Sequence, residues 1–314
     1  MTFRDKLLFG AFLLVSFWGC SQDETSVAPG ENEPEENGTC VENLDTAFFS
    51  HSATMSYPML GDRWALLVAG STGWGNYRYE ADVFEMYQRL KEYGYDDDHI
   101  VLIAENDIAY NVHNKEPGIL RTSPDGENVY DSSAIDYSLS ELSAIDLGNI
   151  LKGNKSSRLP QVIGASSEDN IIIYWSSHGT QGNLEFGYID IAYEQMADIL
   201  KDTPHRKMMF VLEACYSGGM GEAGAGIPGV VYLTAADPDE TSHATEKDDN
   251  LGVFRTNSFT QGFQEIIGNA PNVSLRDTYL DLACKVTDSH VHLYNTENYG
   301  SVYTEDLSEF FGSF

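Results

Sequence analysis

Five short apolar runs constrain this chain more than any other feature. They are Trp64–Gly70, Ile100–Ala104, Asn170–Ser176, Lys207–Glu213 and Val230–Ala236. Each is partly β-branched or aromatic and is stopped by small or polar residues. None alternates polar with apolar, so each reads as a strand buried on both faces, as in a parallel sheet covered by helices. A sixth run, His290–Tyr294, reads as a last strand. Helical spacing lies between them. Val83, Phe84, Tyr87 and Leu90 mark one face of a helix over Tyr79–Tyr93, and Gly94 stops it. Further helices are predicted over Ser140–Leu151 with Ser140 as N-cap, from a cap at Asp190 to Lys201, and over Asn257–Ile267 and Leu275–Thr287. The first strand–helix–strand unit implies a right-handed crossover. Glu105–Tyr137 is a long polar stretch, the kind of loop that usually carries function. Thr180–Gly187 and the glycine-rich Gly218–Gly229 also read as loops.

Two strands end in reactive residues, His178-Gly179 and Cys215. Ligands of open α/β sheets bind beyond the carboxyl ends of strands, where a thiol and an imidazole can meet as nucleophile and base. By residue type alone, a buried Cys is more often an inert small hydrophobe, and a His beside Gly a turn residue. A third strand end carries Gly73-Trp-Gly-Asn76-Tyr-Arg78-Tyr79. If the three strands are neighbours, Asn76, His178 and Cys215 converge on one rim.

The chain has 314 residues, enough for one large domain or two small ones with an ample core. Its net charge of −31 argues against nucleic acid as a partner and fits a solvated acidic surface. The start reads as a secretory leader: Arg4 and Lys6, then an apolar Leu7–Trp18 too short to span a membrane. Gly19-Cys20 resembles the lipobox of bacterial lipoproteins, with Cys20 as the lipidated residue and Ser21–Glu24 as the acidic tail behind it. Residues 1–20 are therefore expected to be leader, 21–40 a flexible acidic tether, and 41–314 the folded domain. The expectation is a protein held by a lipid anchor at a bacterial outer membrane, in the periplasm or on the cell surface; a plain secretory signal cut nearby is the alternative. Once Cys20 is acylated, Cys40, Cys215 and Cys284 remain, an odd number that leaves one free thiol. Cys215 is the residue expected to stay free. Cys40 pairs with Cys284, or Cys284 is simply buried. There are no repeats, no CxxC, no phosphate-loop glycine pattern and no HExxH, so no cofactor and no metal is expected.

The motifs together resemble the legumain (asparaginyl endopeptidase) family. The matching segments are Trp64–Asp82, His99–Tyr110, Asn128–Tyr137, Ser177-His178-Gly179, Glu213-Ala-Cys215-Tyr-Ser-Gly218 and Thr234–Ser242, in order along residues 63 to 300. The resemblance implies a three-layer α/β/α caspase-like fold with a mostly parallel, about six-stranded central sheet. It implies Cys215 as nucleophile, His178 as general base, Gly179 and Cys215 N–H as oxyanion hole, and Asn76 as a residue that orients the histidine. It implies a pocket for the residue before the cut, built from Arg78, Glu213, Thr241 and Ser242. An asparagine side chain offers one acceptor oxygen and a donor NH₂, which Arg78 and Glu213 complement. An Arg78–Glu213 ion pair bracing the rim is the structural alternative. Three departures stand out. Tyr79 replaces a family His, Val253 replaces a pocket Asp, and Ser177 replaces the Asp before the catalytic His. The expected function is a cysteine endopeptidase acting on proteins or peptides after Asn, and after Asp at low pH. A transpeptidase of the transamidase type and an inactive surface-binding lipoprotein are the alternatives.

Overall fold

The computed structural model describes residues 61–245, 247–269 and 272–312. The expected leader with Cys20, the expected tether with Cys40, and residues 41–60 lie outside the described residues.

The expected strands form one sheet. They are β1 (Arg63–Ala69), β2 (Ile100–Ile103), β3 (Asn170–Ser176), β7 (Lys207–Glu213), β8 (Val230–Thr234) and β11 (His292–Tyr294). Their spatial order is β11-β8-β7-β3-β1-β2, and all pairs are parallel except β11 against β8. Alternate residues of each strand feed two cores. Leu67, Tyr174, Val211 and Leu233 pack with Phe84 of α1 (Tyr77–Glu92), Phe263 of α5 (Ser258–Asn269) and Leu282 of α6 (Leu275–Lys285). Leu66, Ile173, Phe210 and Tyr232 pack with Ile150 of α2 (Ala144–Leu151), Met196 of α3 (Tyr193–Lys201) and Met220 of α4 (Gly218–Ala223). This is the three-layer α/β/α caspase-like arrangement. Burial on both faces is why the strands read as unbroken apolar runs.

Local boundaries differ where side chains compete for backbone groups. Helix α2 is capped by Ser143, not Ser140. Ser143 and Asp146 form a reciprocal capping box, while Ser140 is held by hydrogen bonds to Glu105. Asp190 caps nothing. It lies in β6 (Ile189–Ala192), the last strand of a small antiparallel sheet with β4 (Gly179–Thr180) and β5 (Asn183–Phe186). Gly182 and Gly187, both at positive φ, make the turns of this sheet, and those turns gave the stretch its loop-like composition. The glycine-rich loop likewise begins as α4. A final two-stranded ribbon pairs β9 (Lys247–Asp248) with β10 (Val253–Phe254), and α7 (Ser308–Phe311) closes the described chain.

From β1 the chain passes outward to β2, then returns to β3 on the other side of β1. The strand order reverses there, and ligands of open α/β sheets bind beyond the strand carboxyl ends at such a point.

The opposite end of the sheet is held by buried charge. Lys207 ion-pairs with Glu305 and, at 3.1 Å, with Glu309, which Arg206 also pairs at 2.9 Å. The Lys207 ammonium lies 4.9 Å from the Tyr299 ring centre. Replacing Lys207 with Met leaves Glu305 buried without its cation. The expected loss of stability is about 3–5 kcal/mol by denaturant titration. A Lys207→Met/Glu305→Leu double variant is expected to recover most of it. A single variant as stable as wild type would show that the pair is not desolvated.

Candidate active site

Ser176 of β3 and Glu213 of β7 are register partners, so His178 and Cys215 each follow two residues beyond the paired ends. Ser177 N donates to Glu213 O at 3.0 Å and keeps the two chains together past the ladder. A Cβ on residue 179 would drive into the Cys215 carbonyl oxygen, so only glycine lets the segments pass this closely. Directly after Cys215, Tyr216 takes φ 60°, a left-handed conformation that costs a non-glycine residue roughly 1–2 kcal/mol. Two hydrogen bonds hold it there: Tyr216 N to Glu240 O at 2.7 Å, and Tyr193 Oη to Tyr216 O at 2.9 Å. The sharp turn carries Cys215 off the strand and into α4.

The histidine is held from three sides. Its backbone N–H donates to Ser71 Oγ at 2.9 Å. Asn76 Nδ2 donates to Thr72 O at 2.8 Å, which turns Asn76 Oδ1 toward His178 Nε2 at 2.9 Å. Nε2 therefore carries the proton and Nδ1 the lone pair. The Tyr79 hydroxyl lies 3.1 Å from Nδ1 and donates to it, while itself accepting from Arg78 Nη2. Burial, and then the Arg78 charge, lower the His178 pKa to about 4, so the ring is a neutral base at physiological pH. Tyr79→Phe removes the donor that favours the neutral ring. The His178 pKa is then expected to rise by about one unit in an imidazole NMR titration. An unchanged value would reduce Tyr79 to packing.

Arg78 does not ion-pair with Glu213, and no carboxylate lies within ion-pair distance of it among the described residues. Its guanidinium stacks 4.1 Å from the Tyr79 ring centre, and its Nε donates to Asn257 Oδ1 at 2.9 Å. Asn257 Nδ2 in turn donates to Asp82 Oδ2 at 2.6 Å. Asp82 also accepts from Thr256 at 2.6 Å and Ser176 at 3.1 Å. Burial raises the Asp82 pKa to about 7. This support was not foreseen in the sequence. Its one signal is spacing: Asp82 follows Arg78 by four residues on α1, which puts both on one face. Asn257 and Thr256, far along the chain, carry none.

Glu213 is buried at the rim and its oxygens make no hydrogen bond of ordinary geometry. Burial raises its pKa to about 8 against the Ser242 hydroxyl, which favours the charged form; Asp82 adds to the rise. Ser242 reaches the centre, its Oγ 4.0 Å and its carbonyl oxygen 3.7 Å from Cys215 Sγ. The Thr241 hydroxyl instead faces His243 Nε2 at 3.5 Å. Val253, where a pocket acid was expected to be missing, is buried in the apolar core on β10. The expectation of a free thiol is corrected. Both Cys215 and Cys284 are disulfide-bonded, so Cys215 must be reduced before its sulfur can act as a nucleophile.

The peptidase C13 family profile matches residues 63–313. Legumain of Homo sapiens is 30% identical over 247 residues, covering 76% of this chain and 57% of that protein. The vacuolar-processing enzyme delta-isozyme of Arabidopsis thaliana is 31% identical over 246 residues, covering 74% and 51%. Legumain of Canavalia ensiformis is 35% identical over 195 residues, covering 59% and 41%. The chain thus spans roughly half the length of the curated relatives it matches. With a profile match that runs along the whole sheet, the chain belongs to the peptidase C13 family.

Proposed function

We propose that this protein is a cysteine endopeptidase that hydrolyses peptide bonds after Asn, and increasingly after Asp as pH falls. One observation carries the reading: a neutral histidine with a single basic nitrogen shares the rim with Cys215 and a buried, unpartnered carboxyl, Glu213. After reduction, His178 Nδ1 exchanges the Tyr79 hydroxyl for the Cys215 thiol and takes its proton. The thiolate attacks the scissile carbonyl carbon, and the N–H groups of Gly179 and Cys215 stabilise the oxyanion. The C–N bond breaks as His178 gives its proton to the departing amine, leaving a thioester. Water then attacks the thioester, again losing a proton to His178. The C–S bond breaks and the thiolate returns.

Specificity follows from charge. Arg78 donates to the side-chain oxygen of the residue before the cut. Ionised Glu213 accepts from an asparagine NH₂, whereas protonated Glu213 donates to an aspartate oxygen. With the Glu213 pKa at about 8, acidification favours the second arrangement. Profiling the reduced protein against a peptide library at two pH values tests this. The Asn-to-Asp ratio of kcat/KM is expected to fall by about tenfold or more between pH ~8.5 and pH ~5.5, and to be flattened in Glu213→Gln. Cleavage after neither residue would overturn the specificity.

A further inference from the structure

A second cluster of chemically able side chains lies on the same rim. Strand β11 runs antiparallel to β8, with His292 opposite Thr234, so the chain approaches β11 where it has just left β8. That juxtaposition brings Asp237 and Glu240, on the turn after β8, against His290, just before β11. One ligand atom from each of the three lies within 4.8 Å of the others. The Glu240 carboxylate is held in place by two backbone donors, His290 N at 2.9 Å and Asp237 N at 3.3 Å. His290 Nδ1 faces Glu240 Oε1 at 2.9 Å. A second imidazole, His292 Nε2, meets Asp237 Oδ1 at 2.5 Å. Ser289 Oγ donates to Ala235 O at 2.6 Å and pins the approach to β11 beside the turn.

We propose that Asp237, Glu240 and His290 form a binding site for a divalent transition-metal ion such as Zn²⁺, with His292 orienting Asp237. Tetrahedral zinc with nitrogen and oxygen ligands at about 2.0–2.2 Å separates its ligand atoms by roughly 3.4 Å. To reach that spacing the His290–Glu240 pair, now at 2.9 Å, opens by about half an ångström, while Asp237, whose oxygen lies within 4.8 Å of both, closes in. The two carboxylates and one imidazole leave a fourth position for water. Calcium is a poor fit, because it takes six to eight oxygen ligands. The His292–Asp237 contact is the kind of outer-shell bond that orients a ligating group. The ion would also brace the turn after Cys215, because Glu240 O accepts from Tyr216 N.

Calorimetric titration of the full, unreduced chain tests the site, since in that state Cys215 and Cys284 are disulfide-bonded and offer no thiolate to zinc. Zn²⁺ is expected to bind and to raise the thermal midpoint, and Ca²⁺ is not. Glu240→Gln/His290→Ala is expected to weaken zinc binding by more than about 100-fold, and His292→Ala by about 10–100-fold. Gln keeps an oxygen for the two backbone donors, so the turn should stay folded, and an unchanged midpoint without metal will show it. Undiminished zinc affinity in the double variant, or tighter binding of Ca²⁺ than Zn²⁺, would overturn the assignment.

Discussion

Cleavage of Asn-containing peptides by Cys215→Ala is expected to fall to background, with no acyl-enzyme in single-turnover mass spectra. Among the described residues at the rim, the Cys215 sulfur is the one group able to form the thioester. His178→Ala is expected to lose about 10²–10⁴-fold in kcat, the usual range for a general acid–base group. The two losses should not add. Without a nucleophile the base has no proton to take, so the double variant should match Cys215→Ala. The wild type has its own control. With Cys215 disulfide-bonded, the unreduced protein should be as inactive as the alanine variant and gain activity with a thiol reductant. Undiminished cleavage by Cys215→Ala would remove the proposed mechanism altogether.

Thermal stability is expected to fall as pH rises, by on the order of 10 °C between about pH 6 and pH 9. Three buried carboxyls lie around the site. Glu213 is raised to about 8 and Asp82 to about 7, both mainly by burial. Glu80 is also raised by burial, and by Asp107 beside it. Each is harder to ionise in the folded chain than in the unfolded one. Between the ordinary carboxylate range and these values the native state therefore binds more protons. Their contribution is complete below about pH 4 and is lost as pH climbs through the folded values. His178 acts in the opposite sense, because its pKa is lowered to about 4. Its share is present above about pH 6.5 and is lost as pH falls from there toward 4, so it acts almost entirely below this window. Glu213→Gln should flatten the slope by removing one of the three. A midpoint that stays level or rises over this range would show that the carboxyls are not desolvated.

Much of this architecture was legible because its signals are one-dimensional. Strands buried on both faces must be apolar at every position, so Asn170–Ser176 and Lys207–Glu213 could be marked before their neighbours were known. His178 and Cys215 were legible for the same reason, since each follows directly on such a run. Small pieces were misread where composition is ambiguous. The glycines that make the turns around β5 looked like a loop, and Ser140 looked as good a cap as Ser143 until Glu105 was seen to hold it.

The sequence by itself determined the sheet, the two reactive strand ends and the family, because those rest on local patterns and ordered motifs. Tertiary structure alone decided how the site is wired. Arg78 might have paired with Glu213, but Asn257, 179 positions away, holds it instead and is in turn held by Asp82. Tyr79, legible only as a departure from the family, caps the basic nitrogen of His178. The state of the Cys215 sulfur and the meeting of His290 with Glu240 were likewise decided by folding. The physical reason is common to all of them. A side chain's partner, and through it its pKa, depends on which atoms burial brings within about 3 Å, and strand order sets that distance, not spacing along the chain.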